Sequence, residues 1–167
     1  MTTIAEQPVE EFLNRHRHLL MVMLMFNETF QALSKEAEFT KEMLGSGATQ
    51  IRNANYAAKG VYFQAFTSLS TGLERLGKLC LMLDHYIKHS GKFPDRGYLQ
   101  NKIRHNIGLI HEKSAAVVTK CSISMKFLQN LNNPIHQAIL KILSDFAQGE
   151  RYSNINLVVG AKRRAIP

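Results

Sequence analysis

The sequence predicts an all-α fold: an up-and-down helical bundle of four to five helices, in one domain over residues 1–167. Three observations carry this. Apolar residues recur at helical spacing in four separate stretches. The connections between these stretches are short and marked by Gly, Pro and Asn. No stretch alternates convincingly as a strand.

The first helix is expected to start near Pro8, with Glu10 and Glu11 at its positive dipole end. Phe12, Leu13, Leu20, Met23, Leu24, Phe30 and Leu33 give it an apolar face. It fades before "GSGAT" at 45–49, which reads as a linker. The second helix carries the strongest pattern. Tyr62, Phe66, Leu69, Leu73, Leu76, Cys80, Leu83 and Ile87 alternate spacings of four and three, and Leu79, Met82 and Tyr86 add a second stripe. Burial on more than one side is expected. Gly60, Gly72 and Gly77 each cost about 1 kcal/mol against alanine inside a helix, so they read as points where another helix comes close. After the loop "HSGKFPDRG", a third helix is expected from Tyr98 to Phe127, with Ile103, Ile107, Ile110, Val117 and Cys121 as its core stripe. Asn133 suits an N-cap and Pro134 a first helical residue of a fourth helix. Ile135, Ile139, Ile142 and Phe146 read as its apolar face and Gly149 as its stop.

A chain of 167 residues with 45% apolar and 20% charged residues can bury a sizeable core, which excludes a disordered class. The longest near-continuous apolar run, "LLMVMLMF" at 19–26, falls well short of the roughly twenty residues of a bilayer span. The start, "MTTIAEQPVEEF", lacks the basic-then-apolar order of a signal peptide. A soluble, cytoplasmic protein without a membrane partner is expected. Cys80 and Cys121 form no CxxC and read as buried, reduced thiols.

The net charge of +8 is uneven. Residues 1–60 carry six Lys/Arg against seven Asp/Glu, whereas residues 61–167 carry fifteen against six. Within 85–126, Lys88, Lys92, Arg96, Lys102, Arg104, Lys113, Lys120 and Lys126 face only Asp95 and Glu112. Such a zone attracts polyanions, RNA or DNA above all, and a solvated basic face is nearly as good an account.

The centre of that zone reads "NKIRHNIGLIHEK". On a continuous helix Arg104 and His111 would lie two turns apart, about 10 Å, on one face with Gly108 and Ala115. Metal-free RNA hydrolysis needs a base for the 2′-OH proton and a cation for the charge developing on phosphate. Histidine supplies the first and arginine the second. Nine arginines and seven histidines give about one pair at this spacing by chance, so only its place in the basic zone singles it out. His105 and Asn106 follow Arg104 directly, and Asn106 suits either a phosphate contact or plain solvation. Glu74 and Lys78 form an i,i+4 pair with a packing role. His85 and His89 share that spacing, but no third ligand is evident and exposed helix-end histidines are expected. His16 and His18 fall on different faces. Arg151, Tyr152 and Asn154 follow a helix end, where they tie the tail or add to the basic site.

Taken together, "YFQAFTSLSTGLERLGKLCLMLDHY", "KIRHNIGLI" and "FAQGERYSNINLVVG" resemble bacterial members of the HEPN superfamily over roughly residues 50–160. The resemblance implies an up-and-down helical bundle that commonly dimerises. Many members are metal-independent endoribonucleases of toxin–antitoxin, abortive-infection and CRISPR-linked systems. Their signature is an Arg, usually followed by a polar residue, and then a His with four to six residues between Arg and His; Arg104, His105 and His111 match that wording. In relatives sharing the "ERLGKL" and "RYSN" stretches, glycine more typically precedes the histidine. Arg104 departs from that pattern and His105 takes the histidine's place, which brings non-catalytic members into view.

The resemblance thus implies an RNA-interacting protein and a metal-independent ribonuclease of a toxin or defence system. Arg104 would stabilise the phosphate, His111 would act as acid and base, and His105 and Asn106 would assist. Lys92, Arg96, Lys102, Lys113, Arg151 and Tyr152 would contact nucleic acid. No cofactor or metal is expected. Partners would be a second copy and a cognate antitoxin or nucleotidyltransferase. The alternatives are a non-catalytic module binding RNA, nucleotide or a partner protein, and a purely structural dimeric helical protein.

Overall fold

The computed structural model describes residues 16–17, 27–124 and 133–149, with 152, 155 and 158; the side chain of Lys102 lies outside that set. By packing, the chain falls into two units, Met1–Glu38 and Phe39–Pro167. Among the described residues all regular structure is helical. The helices are α1 (Glu28–Asn53), α2 (Lys59–Lys88), α3 (Ile107–Lys120) and α4 (Pro134–Gln148), with a short π-helical turn at Tyr98–Ile103. The expected start near Pro8 lies outside the described residues, although His16 and Arg17 are helical. Within the first unit, Asn27 caps α1, its side-chain oxygen accepting from the N–H groups of Thr29 and Phe30 at 2.9 and 3.2 Å.

In the second unit, α1 runs straight through the expected linker at 45–49. Two glycines in that stretch suggest a break, but one of them serves a contact. Gly47 lies against Leu69 of α2, where an added Cβ would come 2.7 Å from Leu69 Cγ. Gly72 of α2 lies as close to Leu44, at 2.8 Å. These pairings run in opposite directions, so α1 and α2 form an antiparallel hairpin. The reversal comes at 54–58, where the Asn55 side chain accepts from the N–H groups of Ala57 and Ala58.

Helix α2 is the centre of this unit. Ala65, Gly72 and Leu79 are buried along one side and Ser70, Gly77 and Leu81 along another, roughly 140° around the axis. The first side meets Leu44; the second meets Ile110 and Ser114 of α3 through Gly77. Between them Phe66, Leu69 and Leu73 pack with Ile107, Leu143 and Ala147. Burial on more than one side is thus observed, but the predicted stripe is not the buried face throughout. Leu76, Leu83 and Ile87 are exposed, Ile87 to 77%. Helix α4 has 15 residues, about 22 Å, against 30 residues, about 45 Å, in α2, so it covers only the first part of the stripe. Of the predicted glycine contacts, those at Gly72 and Gly77 are real, whereas nothing lies near Gly60.

The expected third helix is not continuous. Tyr98–Ile103 is a π turn, Arg104 and His105 leave it, and α3 begins only at Ile107. Tyr98 lies near His85, Ile103 packs with Leu81, and His105 reaches Glu74. This segment therefore runs back along α2. The chain then turns again, and α3 proceeds parallel to α2 with Ile110 at Gly77 and Ser114 beyond it. The predicted core stripe holds nonetheless: Ile103, Ile107 and Ile110 are each 1% exposed. Cys121 departs from it and is exposed, and Cys80 is half-buried, so the expected pair of buried thiols is corrected.

Helix α4 begins as predicted, with Asn133 capping and Pro134 in the first turn, and ends at Gly149. Its packing face differs. Leu143, Ser144, Phe146 and Ala147 are buried, while Ile135, Ile139 and Ile142 are exposed. Phe146 meets Phe63 and Phe66 edge-on at 5.4 and 5.7 Å, setting the last turn of α4 beside the first turns of α2. No helix among the described residues is long and apolar enough to cross a membrane.

Candidate functional site around Glu74 and His105

The break between the π turn and α3 shapes this region. Arg104 donates its N–H to Leu99 O at 3.0 Å, five residues back, and closes the π turn. Its backbone then turns to φ 51° and ψ −131°, a region that glycine enters freely and a branched-out side chain rarely does. Asn106 recovers the helical direction. Its side-chain oxygen accepts from the Leu109 N–H at 2.9 Å and caps α3. Asn106 is thus occupied structurally.

His105, between these two, is the residue that crosses to another helix. Its Nδ1 lies 3.0 and 2.9 Å from the two carboxylate oxygens of Glu74. Lys78 Nζ holds the same carboxylate at 2.6 Å. A carboxylate only accepts, so Nδ1 carries the proton and donates it, leaving Nε2 with a lone pair while the ring is neutral. The side chain of His105 is 60% exposed and that of Glu74 15%. Burial pushes the Glu74 carboxyl up, but the hydrogen bonds and charges of Lys78 and His105 outweigh it and hold the group below the ordinary value of 4.5. The carboxylate is therefore ionised and fixed, with an oriented imidazole facing solvent.

Arg104 is exposed, and among the described residues no carboxylate pairs with its guanidinium. His111 is half-buried on α3. The argument that placed Arg104 and His111 on one helical face falls with the helix itself, because Arg104 lies outside α3. Lys92, Arg96 and Lys113 are exposed. Tyr152 is exposed and donates its N–H to Gly149 O; Arg151 lies outside the described residues, as does the side chain of Lys102. Sequence reasoning took Glu74 and Lys78 as a packing pair and missed the tie to His105. The signal was there in two polar stretches, but their junction needs the reversal at 104–106.

At the other end of α2, the rings of His85 and His89 stack with centres 3.8 Å apart. Among the described residues no three His, Cys, Asp or Glu side chains converge as metal ligands. The thiol of Cys80 is pushed up by burial, which the Ser114 hydrogen bond only partly offsets, and it is correspondingly unreactive. Compared with family models, with curated proteins and with solved structures, the chain matches none.

Proposed function

We propose that this chain is a HEPN-like RNA-interacting protein whose contact surface is the basic region from Lys92 to Lys113, centred on Arg104 and His105. One observation carries the reading. Two of the stretches that bear the resemblance, "GLERLGKL" and "KIRHN", supply the three members of a single hydrogen-bonded cluster, Glu74, Lys78 and His105. Beside it Arg104 stands exposed on a strained backbone. Strain of this kind costs about 1–3 kcal/mol and collects where function maintains it. A guanidinium there suits a phosphate, and the surrounding lysines raise the local concentration of polyanion.

A second reading, metal-independent cleavage of the bound strand, is favoured by the Glu74–His105 pair. An imidazole whose Nδ1–H is held by a carboxylate can take a proton at Nε2. In cleavage His105 removes the 2′-OH proton, O2′ bonds to the adjacent phosphorus, and the P–O5′ bond breaks. The proton passes to O5′, leaving a 2′,3′-cyclic phosphate and a 5′-hydroxyl. Arg104 stabilises the charge on the phosphoryl oxygens. In this reading His105, rather than His111, is the acid–base group. A homodimer belongs to the same proposal, and the apolar stripe left open at Leu76, Leu83 and Ile87 supports it.

The test is binding and cleavage of a labelled single-stranded RNA in EDTA, with Arg104→Ala, His105→Ala and His111→Ala beside the wild type. Salt-sensitive binding that Arg104→Ala weakens supports the contact surface. Cleavage abolished by His105→Ala with binding retained supports the second reading. Absence of binding at low salt, or binding indifferent to Arg104→Ala, would sink the proposal.

A further inference from the structure

The last turn of α2 carries a ring stack that lies outside the contact surface from Lys92 to Lys113. His85 and His89 stand with ring centres 3.8 Å apart and planes 13° from parallel. Both rings are tethered. His89 Nδ1 lies 2.8 Å from His85 O, and His85 Nδ1 lies 3.0 Å from Lys92 O. A carbonyl oxygen only accepts, so both Nδ1 atoms donate. His85 is half-buried, with the Tyr98 ring 6.0 Å away, whereas His89 is exposed. His85 covers one face of the His89 ring, so the opposite face is the one open to solvent. We propose that this outer face of His89 is a stacking platform for a nucleobase of single-stranded RNA. The inference rests on the RNA-interacting reading and extends its surface to the end of α2.

A nucleobase is a flat ring with its own π face, and a third ring continues a stack that two rings have begun. Rings already fixed by hydrogen bonds lose little rotamer freedom when a base arrives. The loop that follows is held as well. The Tyr86 and Phe93 rings pack with centres 4.6 Å apart, and Gly91 turns the chain at φ 82°. That loop sets Lys92 and Arg96 in solvent just beyond the platform, where the phosphates of a bound strand need cations. The Asp95 carboxylate between them is engaged by the Tyr98 N–H at 2.7 Å, and Lys88 is paired with Asp84.

The stack is in line with the Glu74–His105 cluster. Glu74 and His85 stand about three turns apart on one face of α2, a rise of about 16 Å. The segment from Tyr98 to His105 runs back along that face, from the His85 ring to the Glu74 carboxylate. A strand with a base on His89 and a phosphate at Arg104 therefore follows one side of α2. Stacking tolerates any base but requires an unpaired one, so the platform selects single strands over duplex.

The experiment measures, by fluorescence anisotropy, the affinity of the full chain for a labelled oligoadenylate, for an abasic strand of the same length and charge, and for duplex RNA. The wild type should bind the oligoadenylate more tightly than the abasic strand. His89→Ala should weaken oligoadenylate binding about five- to hundred-fold, and should leave the abasic strand and the duplex bound as before. His89→Phe, which keeps a ring and discards the imidazole, should restore the oligoadenylate, with the helical circular dichroism of both variants unchanged. Equal wild-type affinity for the two single strands, a His89→Ala loss shared by the abasic strand, or no rescue by phenylalanine would overturn the platform while leaving the basic surface standing. A wild type that binds none of the three at low salt would defeat the RNA reading itself, and the platform with it.

Discussion

The carboxylate of Glu74 and the imidazole of His105, 31 residues apart in sequence, are joined with both carboxylate oxygens within 3.0 Å of Nδ1. The contact pins the turn after the π-helical segment onto α2. It does so immediately before Asn106 starts α3, so one hydrogen-bonded pair orients a candidate acid–base group and fixes a chain reversal.

The pH dependence of that contact has a definite sign. The folded state holds the Glu74 carboxyl below the ordinary 4.5 despite its burial. Its contribution to stability is therefore present above about pH 4.5 and is lost as pH falls through the lower, folded value. Glu74→Gln should flatten this part of the stability–pH curve in denaturant titrations. An unchanged acid limb would show that the pairing adds nothing to folding.

Arg104→Gly should stabilise the protein by about 1 kcal/mol while weakening RNA binding. Glycine relieves the φ 51° backbone, and part of that gain is returned through the looser unfolded chain. Chemical denaturation measures the first effect and RNA anisotropy the second. A less stable variant would mean that the guanidinium holds the turn together.

Gly77→Ala should destabilise by about 1–3 kcal/mol, because the added methyl falls on Ile110 at the closest approach of α2 and α3. Gly45→Ala, in α1 with open space around it, should instead stabilise by about 1 kcal/mol through helix propensity. The two midpoints should move in opposite directions in urea.

Phe146→Ala should cost about 3–5 kcal/mol, since Phe146 is buried and its ring meets two aromatic edges from α2. Thermal unfolding reports it directly. A small loss would mean that Phe63 and Phe66 close over the gap.

If RNA binds as proposed, Lys92→Ala and Arg96→Ala should each lower the slope of log K against log salt by about 0.7 for a single strand. Equal slopes in all variants would place the contact elsewhere.

The helical class, the stop of α2 and both ends of α4 were legible in the sequence, because caps, prolines and apolar spacing act locally. Asn133, Pro134 and Gly149 do in the structure what such residues do in isolation. Two errors share a cause. Residues 45–49 read as a linker and residues 98–127 as one helix because a local pattern was followed where a distant contact decides. Gly47 remains helical since Leu69 packs against it. The segment after Ile103 leaves the helix as His105 reaches back to Glu74. The faces of α2 and α4 were misassigned for a related reason: spacing identifies apolar stripes, but the length of the neighbouring helix decides how much of each is covered. In the candidate site, residue types were readable and their partnership was not.

The π turn at Tyr98–Ile103 can also be regarded as a matter of counting. A π segment arises when a helix accommodates one residue more than its α-helical register holds. The same stretch with one residue deleted would wind as ordinary α-helix and rotate the downstream residues by about 100°. Arg104 and His105 would then lose their outward turn without any change in their identity. The candidate site is thus specified by a number as well as by letters, and a deletion at this point would silence it and at the same time turn Ile107 and Ile110 away from the core they now supply.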